Sequence, residues 1–192
     1  MTIGVLALQG DYEAHRRILE GLGADVREIR TVADLDGIAG LVLPGGESTT
    51  MTLGIEREQL TEPLRALIAA GTPVLGTCAG LIVLDRDHLG LLDVRARRNA
   101  FGRQVRSFEA ELDLAQIGDG IPAIFIRAPW ADEPGAGVEV LAEVEGHAVA
   151  VRAGDVLAVS FHPELSGETR LHSWLIDRVA ARTANRNGGG NR

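Results

Sequence analysis

Residues 72–84 read TPVLGTCAGLIVL and place the single cysteine of the chain, Cys78, between an apolar strand pattern and an apolar helix pattern. Strands that lead directly into helices are typical of α/β proteins, in which a buried sheet carries helices on its faces. Gly76 and Gly80 allow a sharp turn and a close approach of strand and helix at this junction. The stretch therefore predicts an α/β fold with Cys78 at the carboxyl edge of a buried strand.

The same alternation extends through the first half of the chain. Strand patterns cover residues 2–10, 24–29, 39–46 and 72–77, and helical patterns cover residues 11–22 and 56–70 and begin again near Cys78. In the first helix, Asp11 is a candidate cap, Gly23 ends the pattern, and the expected buried face carries Ala14, Ile18, Leu19 and Leu22. The first half predicts an open, mostly parallel sheet with helices on both faces.

The second half contains mainly strand patterns with short turns, from residue 91 to residue 159. These predict antiparallel hairpins appended to the parallel sheet. A last helix is expected over residues 168–183, with Leu171, Trp174, Leu175 and Val179 on one face. We expect a single domain over residues 1–184 and a disordered tail over residues 185–192, which has no apolar face.

Composition narrows the class of protein. The chain has 192 residues, a net charge of −8 and one cysteine. An acidic chain is not expected to bind nucleic acid, and a lone cysteine forms no internal disulfide. No apolar window is long enough for a membrane span, and the amino terminus lacks a basic leader. These features predict a cytoplasmic protein that has no membrane partner.

Cys78 has two interpretations. G-T-C-A-G has the form of a nucleophile elbow, with cysteine in place of the serine of G-x-S-x-G. At the amino end of a helix, backbone N–H groups would favour a thiolate. The alternative is a buried cysteine that only packs, and the motif alone leaves the two about even.

A cysteine nucleophile needs a base and a group that orients the base. The segment SFHPEL, residues 160–165, follows an apolar strand pattern and offers His162 as the base and Glu164 as the orienting carboxylate. A histidine at a strand end is more often an ordinary surface residue, so this motif gains weight only from the elbow. Zinc binding by Cys78, His162 and Glu164 is a further alternative, which a single cysteine on an elbow makes less suitable.

The segment LPGGESTT, residues 43–50, supplies two glycines at a strand end. Such glycines allow a backbone N–H to point into a cleft, where it could stabilise an oxyanion. The N–H groups of Gly46 and Ala79 form the natural pair of donors. A plain glycine-rich turn or a weak phosphate cradle is the alternative, and the pattern of a nucleotide-binding P-loop is absent from the sequence.

Taken together, the motifs LALQGD, LPGGESTTM, GTCAGLI, RNAFGRQVRSFEAEL, FIRAPW and SFHPEL resemble the class I, triad-type glutamine amidotransferases. Within that class they are most similar to the family of glutaminase subunits of pyridoxal 5′-phosphate synthase. The resemblance runs from about residue 3 to about residue 179. GGESTT and RNAFGRQ carry most of its specificity, because the triad motifs occur in other amidotransferases as well.

The resemblance implies a flavodoxin-like α/β fold and a glutaminase that needs no cofactor and no metal. Cys78 would be the nucleophile, His162 the base and Glu164 its orienting carboxylate, with the backbone of Gly46 and Ala79 as the oxyanion hole. The implied glutamine site consists of Gly46, Glu47, Ser48, Arg98, Ile126 and Arg127.

The resemblance also implies a partner. Ammonia would pass to a (β/α)₈ synthase subunit in a hetero-oligomeric complex, and that subunit would activate the glutaminase. Gln9 would lie near the oxyanion loop and the docking surface.

One segment departs from the family pattern. The stretch LIVLDRDHLGLLDV, residues 81–94, is several residues shorter than is usual in the family. The sequence does not distinguish a true deletion from a missing loop. A real deletion could also shift Arg98.

Three other functions remain possible at this point. The chain could serve a different ammonia-using synthase, it could be a non-catalytic scaffold of the same fold, or it could be a stress or redox protein with a reactive cysteine. The motifs GGESTT and RNAFGRQ argue against a different synthase, and the complete triad argues against a non-catalytic scaffold. A stress or redox protein would not need the FHPE motif. The remaining histidines, His15, His88, His147 and His172, have no partners at metal-ligand spacing.

Overall fold

The computed structural model describes residues 1–98 and 107–188. In these parts of the chain the strands are β1 (Thr2–Leu6), β2 (Asp25–Ile29), β3 (Gly40–Leu43), β4 (Val74–Thr77), β5 (Arg95–Arg97), β6 (Ser107–Leu114), β7 (Gly118–Ile126), β8 (Trp130–Asp132), β9 (Glu139–Val144), β10 (His147–Ala153) and β11 (Val156–Val159). The helices are α1 (Tyr12–Gly21), α2 (Ser48–Arg57), α3 (Thr61–Ala69), α4 (Ala79–Leu84), α5 (Pro163–Ser166) and α6 (Arg170–Gly188), with a 3₁₀ turn at Val32–Leu35.

The central sheet has the order β2-β1-β3-β4-β11-β10-β8-β5, and β9 pairs with β10 at the side. The strands from β2 to β11 in this order are parallel, and the pairs that follow are antiparallel. Strands β6 and β7 form a separate antiparallel hairpin. The predicted fold class, a mostly parallel sheet with helices on both faces and appended antiparallel strands, is confirmed.

The two faces of the sheet bury separate apolar clusters because neighbouring strand residues point to opposite sides. Leu41 and Leu43 lie in the cluster that α2, α3 and α4 cover, whereas Val42 lies in the cluster that α1 and α6 cover. Strands β3, β4 and β11 are buried along their whole length. Burial on both faces is the pattern expected of central parallel strands.

Several predicted boundaries were wrong in the first half. The single helix expected over residues 56–70 is two helices, α2 and α3, because Gln59 takes a left-handed backbone with φ of 57° between them. Helix α2 also begins earlier than expected, since the carboxylate of Glu47 caps it by accepting hydrogen bonds from the N–H groups of Thr49 and Thr50. Asp11 precedes α1 but makes no side-chain cap, and Leu22 is 38% exposed rather than buried.

The end of the chain differs from the prediction as well. Helix α6 continues to Gly188, so the first residues of the expected disordered tail are helical. Residues 189–192 lie outside the described residues. The predicted apolar face is confirmed for Leu171, Leu175 and Val179, which are buried against the sheet. The short strands β5 and β8 were not predicted.

The short segment after α4 is a compact turn built around Asp85. This buried carboxylate accepts hydrogen bonds from the N–H groups of Asp87 and His88 at 2.9 and 3.1 Å, and its Oδ1 lies 2.7 Å from His88 Nδ1. Its other oxygen accepts from the N–H of Ala96 in β5 at 3.1 Å. A buried carboxylate with several donors holds a tight connection from α4 to β5.

Across residues 1–98 and 107–188, no helix is long and apolar enough to cross a membrane.

Helix α4 passes unusually close to strand β3. A Cβ atom on Gly80 would lie 2.1 Å from the carbonyl oxygen of Leu43, and one on Gly76 would lie 2.8 Å from the side chain of Leu84. The backbones of the helix and the sheet therefore meet where Cys78 turns the chain from β4 into α4.

We predict that Gly80→Ala lowers the free energy of unfolding by about 1–3 kcal/mol, because helix α4 must move away from the sheet. Gly21→Ala is the matched control, since nothing lies within 4 Å of a Cβ there, and it should be neutral or slightly stabilising. Urea denaturation of both variants provides the measurement. Equal midpoints for the two variants would contradict the close approach.

Candidate active site

The carboxyl ends of four adjacent parallel strands build the site. Gln9 follows β1, Gly46 follows β3, Cys78 follows β4 and His162 follows β11. Ligand sites of open α/β sheets lie along this edge. The fold thus brings together groups that are far apart in the sequence.

Cys78 forms a strained junction between β4 and α4. Its backbone has φ of 47° and ψ of −100°, a conformation that side-chain-bearing residues rarely adopt. The backbone N–H of Cys78 donates to the carbonyl of Val159 at 2.8 Å, which keeps the residue tied to β11. Its side chain is 7% exposed. This is the geometry of a nucleophile elbow, in which strain presents one side chain at the edge of the sheet.

His162 and Glu164 lie directly after β11. The N–H of His162 donates to the carbonyl of Ile124 in β7 at 2.9 Å, and Pro163 opens the short helix α5. His162 Nδ1 lies 2.6 Å from Glu164 Oε1, and both side chains are buried. The imidazole therefore donates through Nδ1 to the carboxylate and keeps its other nitrogen for the sulfur.

The charges around His162 favour its protonated form. Burial alone would lower the pKa of this imidazole, but hydrogen bonds and charges from Cys78 and Glu164 outweigh it and raise the pKa to about 10. An imidazolium beside the sulfur stabilises a thiolate. The arrangement is the one that a cysteine nucleophile with a neighbouring base requires.

Gly45 lies against His162, and Gly46 lies against Gln9, in both cases without room for a side chain. A Cβ on Gly45 would lie 2.4 Å from His162 Cε1, and one on Gly46, where φ is 145°, would lie 2.3 Å from Gln9 Oε1. Gln9 Oε1 accepts a hydrogen bond from the N–H of Glu47 at 2.7 Å, so Gln9 lies beside the glycine loop.

A pocket of about 150 Å³ opens above Cys78. Its lining contains Cys78 and all six residues implied as the glutamine site, and Ile82 and Pro129 complete it: Gly46, Glu47, Ser48, Cys78, Ile82, Arg98, Ile126, Arg127 and Pro129. Ala79 follows Cys78 as the first residue of α4. The structure thus brings every predicted site residue to one place.

Two of the three charged side chains of the pocket, those of Glu47 and Arg98, are held differently. The side chain of Glu47 is used as the cap of α2, and hydrogen bonds from Thr50 and Thr49 lower the pKa of this carboxyl to about 2. Arg98 donates from Nη1 to Thr49 Oγ1 at 3.0 Å. Since Glu47 is already committed to the helix, its contribution to the pocket comes from its backbone and its negative charge.

Sequence reasoning missed the contacts behind the triad. His15, for which the sequence showed no partner at metal-ligand spacing, lies within 3.3 Å of Glu164 Oε2, and His172 contacts His15. A signal existed for His15, since it lies four residues before the buried Leu19 on the same helical face. No local pattern linked His172 to either residue.

Metal binding is a second chemistry that this geometry allows. Among the described residues, donor atoms of Asp11, His162 and Glu164 lie within 4.8 Å of one another. Asp11 is exposed, and its Oδ2 is 3.8 Å from His162 Nδ1, whereas Glu164 Oε1 is much closer to that nitrogen. The cluster also omits Cys78, so the spacing fits a hydrogen-bonded His–Glu pair better than the predicted zinc alternative.

Comparisons with known proteins identify the family of the chain. A family model described as the SNO glutamine amidotransferase family matches residues 5–181. A relative from Nocardioides sp., described as pyridoxal 5′-phosphate synthase subunit PdxT, is 50% identical over 93% of this chain and 96% of its own length. A PdxT from Geobacillus kaustophilus is also 50% identical, over 93% of this chain and 95% of its own length.

Solved structures show the same fold. One described as a glutamine amidotransferase has a TM-score of 0.88 and 41% identity, covering 93% of this chain and 98% of that chain. The structure of PurLQS from Thermotoga maritima has a TM-score of 0.75 and 17% identity, covering 92% of this chain and 97% of that chain. At this identity the likeness supports the fold alone.

We predict that the pKa of His162 falls by about 1 unit or more in Cys78→Ala, because the variant loses the thiolate that stabilises the imidazolium. The chemical shift of the His162 ring, followed against pH by NMR, measures this change. Ser160→Ala is the matched control, since it removes a buried hydroxyl two residues away and no charge. An unchanged titration in Cys78→Ala would contradict the thiolate–imidazolium pair.

Proposed function

The chain belongs to the SNO glutamine amidotransferase family, and from that premise we propose that it is the glutaminase subunit of a pyridoxal 5′-phosphate synthase. It hydrolyses L-glutamine to L-glutamate and ammonia. The observation that carries this proposal is Cys78 on a strained elbow in the lining of the pocket, with a buried, hydrogen-bonded His162–Glu164 pair whose imidazole has its pKa raised by Cys78 and Glu164. Relatives with about half of their residues identical are described as subunits of that synthase.

In the first half of the reaction, the thiolate of Cys78 attacks the side-chain amide carbon of glutamine. The carbonyl oxygen becomes an oxyanion, to which the backbone N–H groups of Gly46 and Ala79 donate. His162 then gives its proton to the amide nitrogen, the C–N bond breaks and ammonia leaves. A thioester to Cys78 remains.

In the second half, a water molecule attacks the thioester carbon and His162 accepts its proton. The second oxyanion collapses, the C–S bond breaks and glutamate leaves. The sulfur departs as a thiolate beside the reprotonated imidazole, so the enzyme returns to its starting state. Glu164 keeps Nδ1 of the imidazole engaged throughout and stabilises its positive charge.

The pocket suits the two ends of the substrate. Arg98 and Arg127 supply positive charge for the α-carboxylate, and the backbone of Gly46 and Glu47 with the Ser48 side chain supplies polar contacts. The negative charge of Glu47 favours the α-ammonium group. Ile126 contributes apolar surface for the methylene groups of glutamine.

The partner in this proposal is a (β/α)₈ synthase subunit, joined in a hetero-oligomeric complex that receives the ammonia. We infer a cytoplasmic location and no role for nucleic acid or membrane, in keeping with the net charge of −8. The names of the relatives favour this synthase over another ammonia-using partner. No cofactor enters the reaction.

We predict that glutamate release rises when the matching synthase subunit is added to the wild-type chain and is lost in Cys78→Ala. The variant removes the only nucleophile of the proposed mechanism and leaves the buried packing nearly unchanged. Glutamate release with and without the synthase, together with the unfolding midpoint, forms the measurement. Release by a folded Cys78→Ala would refute the nucleophile, and release indifferent to the synthase would refute the partner.

Substitution of two neighbouring arginines, Arg98 and Arg97, tests the proposed substrate site. Arg98→Gln should raise KM for glutamine about 10- to 100-fold, because one charged hydrogen-bonding group is worth about 1.5–3 kcal/mol, with a smaller effect on kcat. Arg97→Gln is the matched control: its side chain is 66% exposed and pairs with Asp132 outside the pocket lining. Steady-state kinetics separate the two variants, and equal KM values would remove Arg98 from the site.

A further inference from the structure

Two buried histidines lie behind the catalytic pair, on the side away from the pocket. His15 is on α1 and His172 is on α6, and both are completely buried. Neither residue lines the pocket. The proposed chemistry uses neither of them, yet burial of polar rings is costly unless they are hydrogen-bonded.

These rings form a continuous chain of contacts to the triad carboxylate. His15 Nε2 lies 3.3 Å from Glu164 Oε2 and 3.2 Å from Thr77 Oγ1, and His15 Nδ1 lies 2.8 Å from His172 Nε2. Helix α1, strand β4 and helix α6 thus all contribute a polar group behind Glu164.

Glu164 requires such a contact. Its Oε1 is taken by His162, but its Oε2 is buried and has no fully formed hydrogen bond within the described parts of the chain. An anionic oxygen left without a donor in a buried site is strongly unfavourable. His15 Nε2 is placed to supply that donor after a small adjustment.

We propose that His15 is a positioning residue: its Nε2–H holds Glu164 Oε2, so that Oε1 stays aimed at His162 Nδ1, and His172 fixes the His15 ring from behind. The kinetic consequence of this inference rests on the proposed function. The positioning itself is a property of the chain and can be measured without substrate.

The negative charge of Glu164 selects the tautomer of His15. A lone pair on Nε2 would face a carboxylate oxygen, so the proton belongs on Nε2 and the lone pair on Nδ1. That lone pair accepts the hydrogen bond from His172 Nε2–H. The tautomer of one ring therefore sets the tautomer of the next.

The charged groups nearby support a neutral His15. Glu164 and His162 face it from the turn and helix after β11, and His172 faces it from α6, with Glu168 near His172. Burial, followed by the charges of His172 and His162, lowers the pKa of His15 well below its usual value, and burial lowers the pKa of His172 to about 4. The positive charge of the site thus stays on His162.

Two substitutions at position 15 separate positioning from packing. The amide nitrogen of His15→Gln reaches the place of Nε2 and can donate to Glu164, whereas that of His15→Asn reaches only the place of Nδ1. Both substitutions replace the imidazole ring with a carboxamide group. His147→Gln is the control for a histidine substitution away from Glu164.

The first readout is the rate of Cys78 alkylation by iodoacetamide as a function of pH, measured on the chain without the synthase. If Glu164 loses its orientation, the imidazolium and the thiolate are both less stable, so alkylation requires a higher pH. We expect a shift of about 1 pH unit upward in His15→Asn and a much smaller shift in His15→Gln and His147→Gln. The second readout is glutamate release with the synthase, where kcat should fall about 10- to 100-fold in His15→Asn while KM changes little.

Equal alkylation profiles for wild type and a folded His15→Asn would overturn the proposal. Equal impairment of the Gln and Asn variants would also overturn it, since packing alone would then explain the effect. Should His15→Asn fail to fold, a wild-type profile in His15→Gln supports the proposal and a shifted profile overturns it. A shifted alkylation profile in the Asn variant without glutamate release from wild type would uphold the positioning and refute the proposed function.

Discussion

The strained backbone of Cys78 is the constraint on which the site depends. A φ of 47° at a residue with a side chain costs about 1–3 kcal/mol and persists only where the surroundings hold it. Here the hydrogen bond to Val159 and the close contact of Gly80 with Leu43 hold the turn from both sides. Central parallel strands thus do more than form a core, because their packing fixes the direction of the sulfur.

Local patterns in the sequence predicted the fold class and placed the elbow, the His–Glu segment and the glycine loop correctly at strand ends. Each is a short motif whose position follows from strand periodicity. The break at Gln59 escaped prediction because a left-handed residue other than glycine leaves no compositional mark. The short strands β5 and β8 escaped because each has only three residues.

The carboxylate network shows the limit of such patterns. His15 and His172 are 157 positions apart, and their contact depends on how α1 and α6 pack against one face of the sheet. A single sequence marks each residue as polar on an amphipathic helix and does not indicate what its side chain faces. Glu47 shows the same limit. The motif placed it at the pocket, but only the structure shows that its side chain caps α2.

The hydrogen bond from Cys78 to Val159 also determines when the site can form during synthesis of the chain. Synthesis on the ribosome produces the elbow early, but β11, which accepts the hydrogen bond from the Cys78 N–H, and His162, the proposed base, come from near the carboxyl end. A chain that stops before β11 lacks both the carbonyl of Val159 and the imidazole of His162. Under the proposed mechanism, completion of the sheet and assembly of the Cys78–His162 pair are therefore one event.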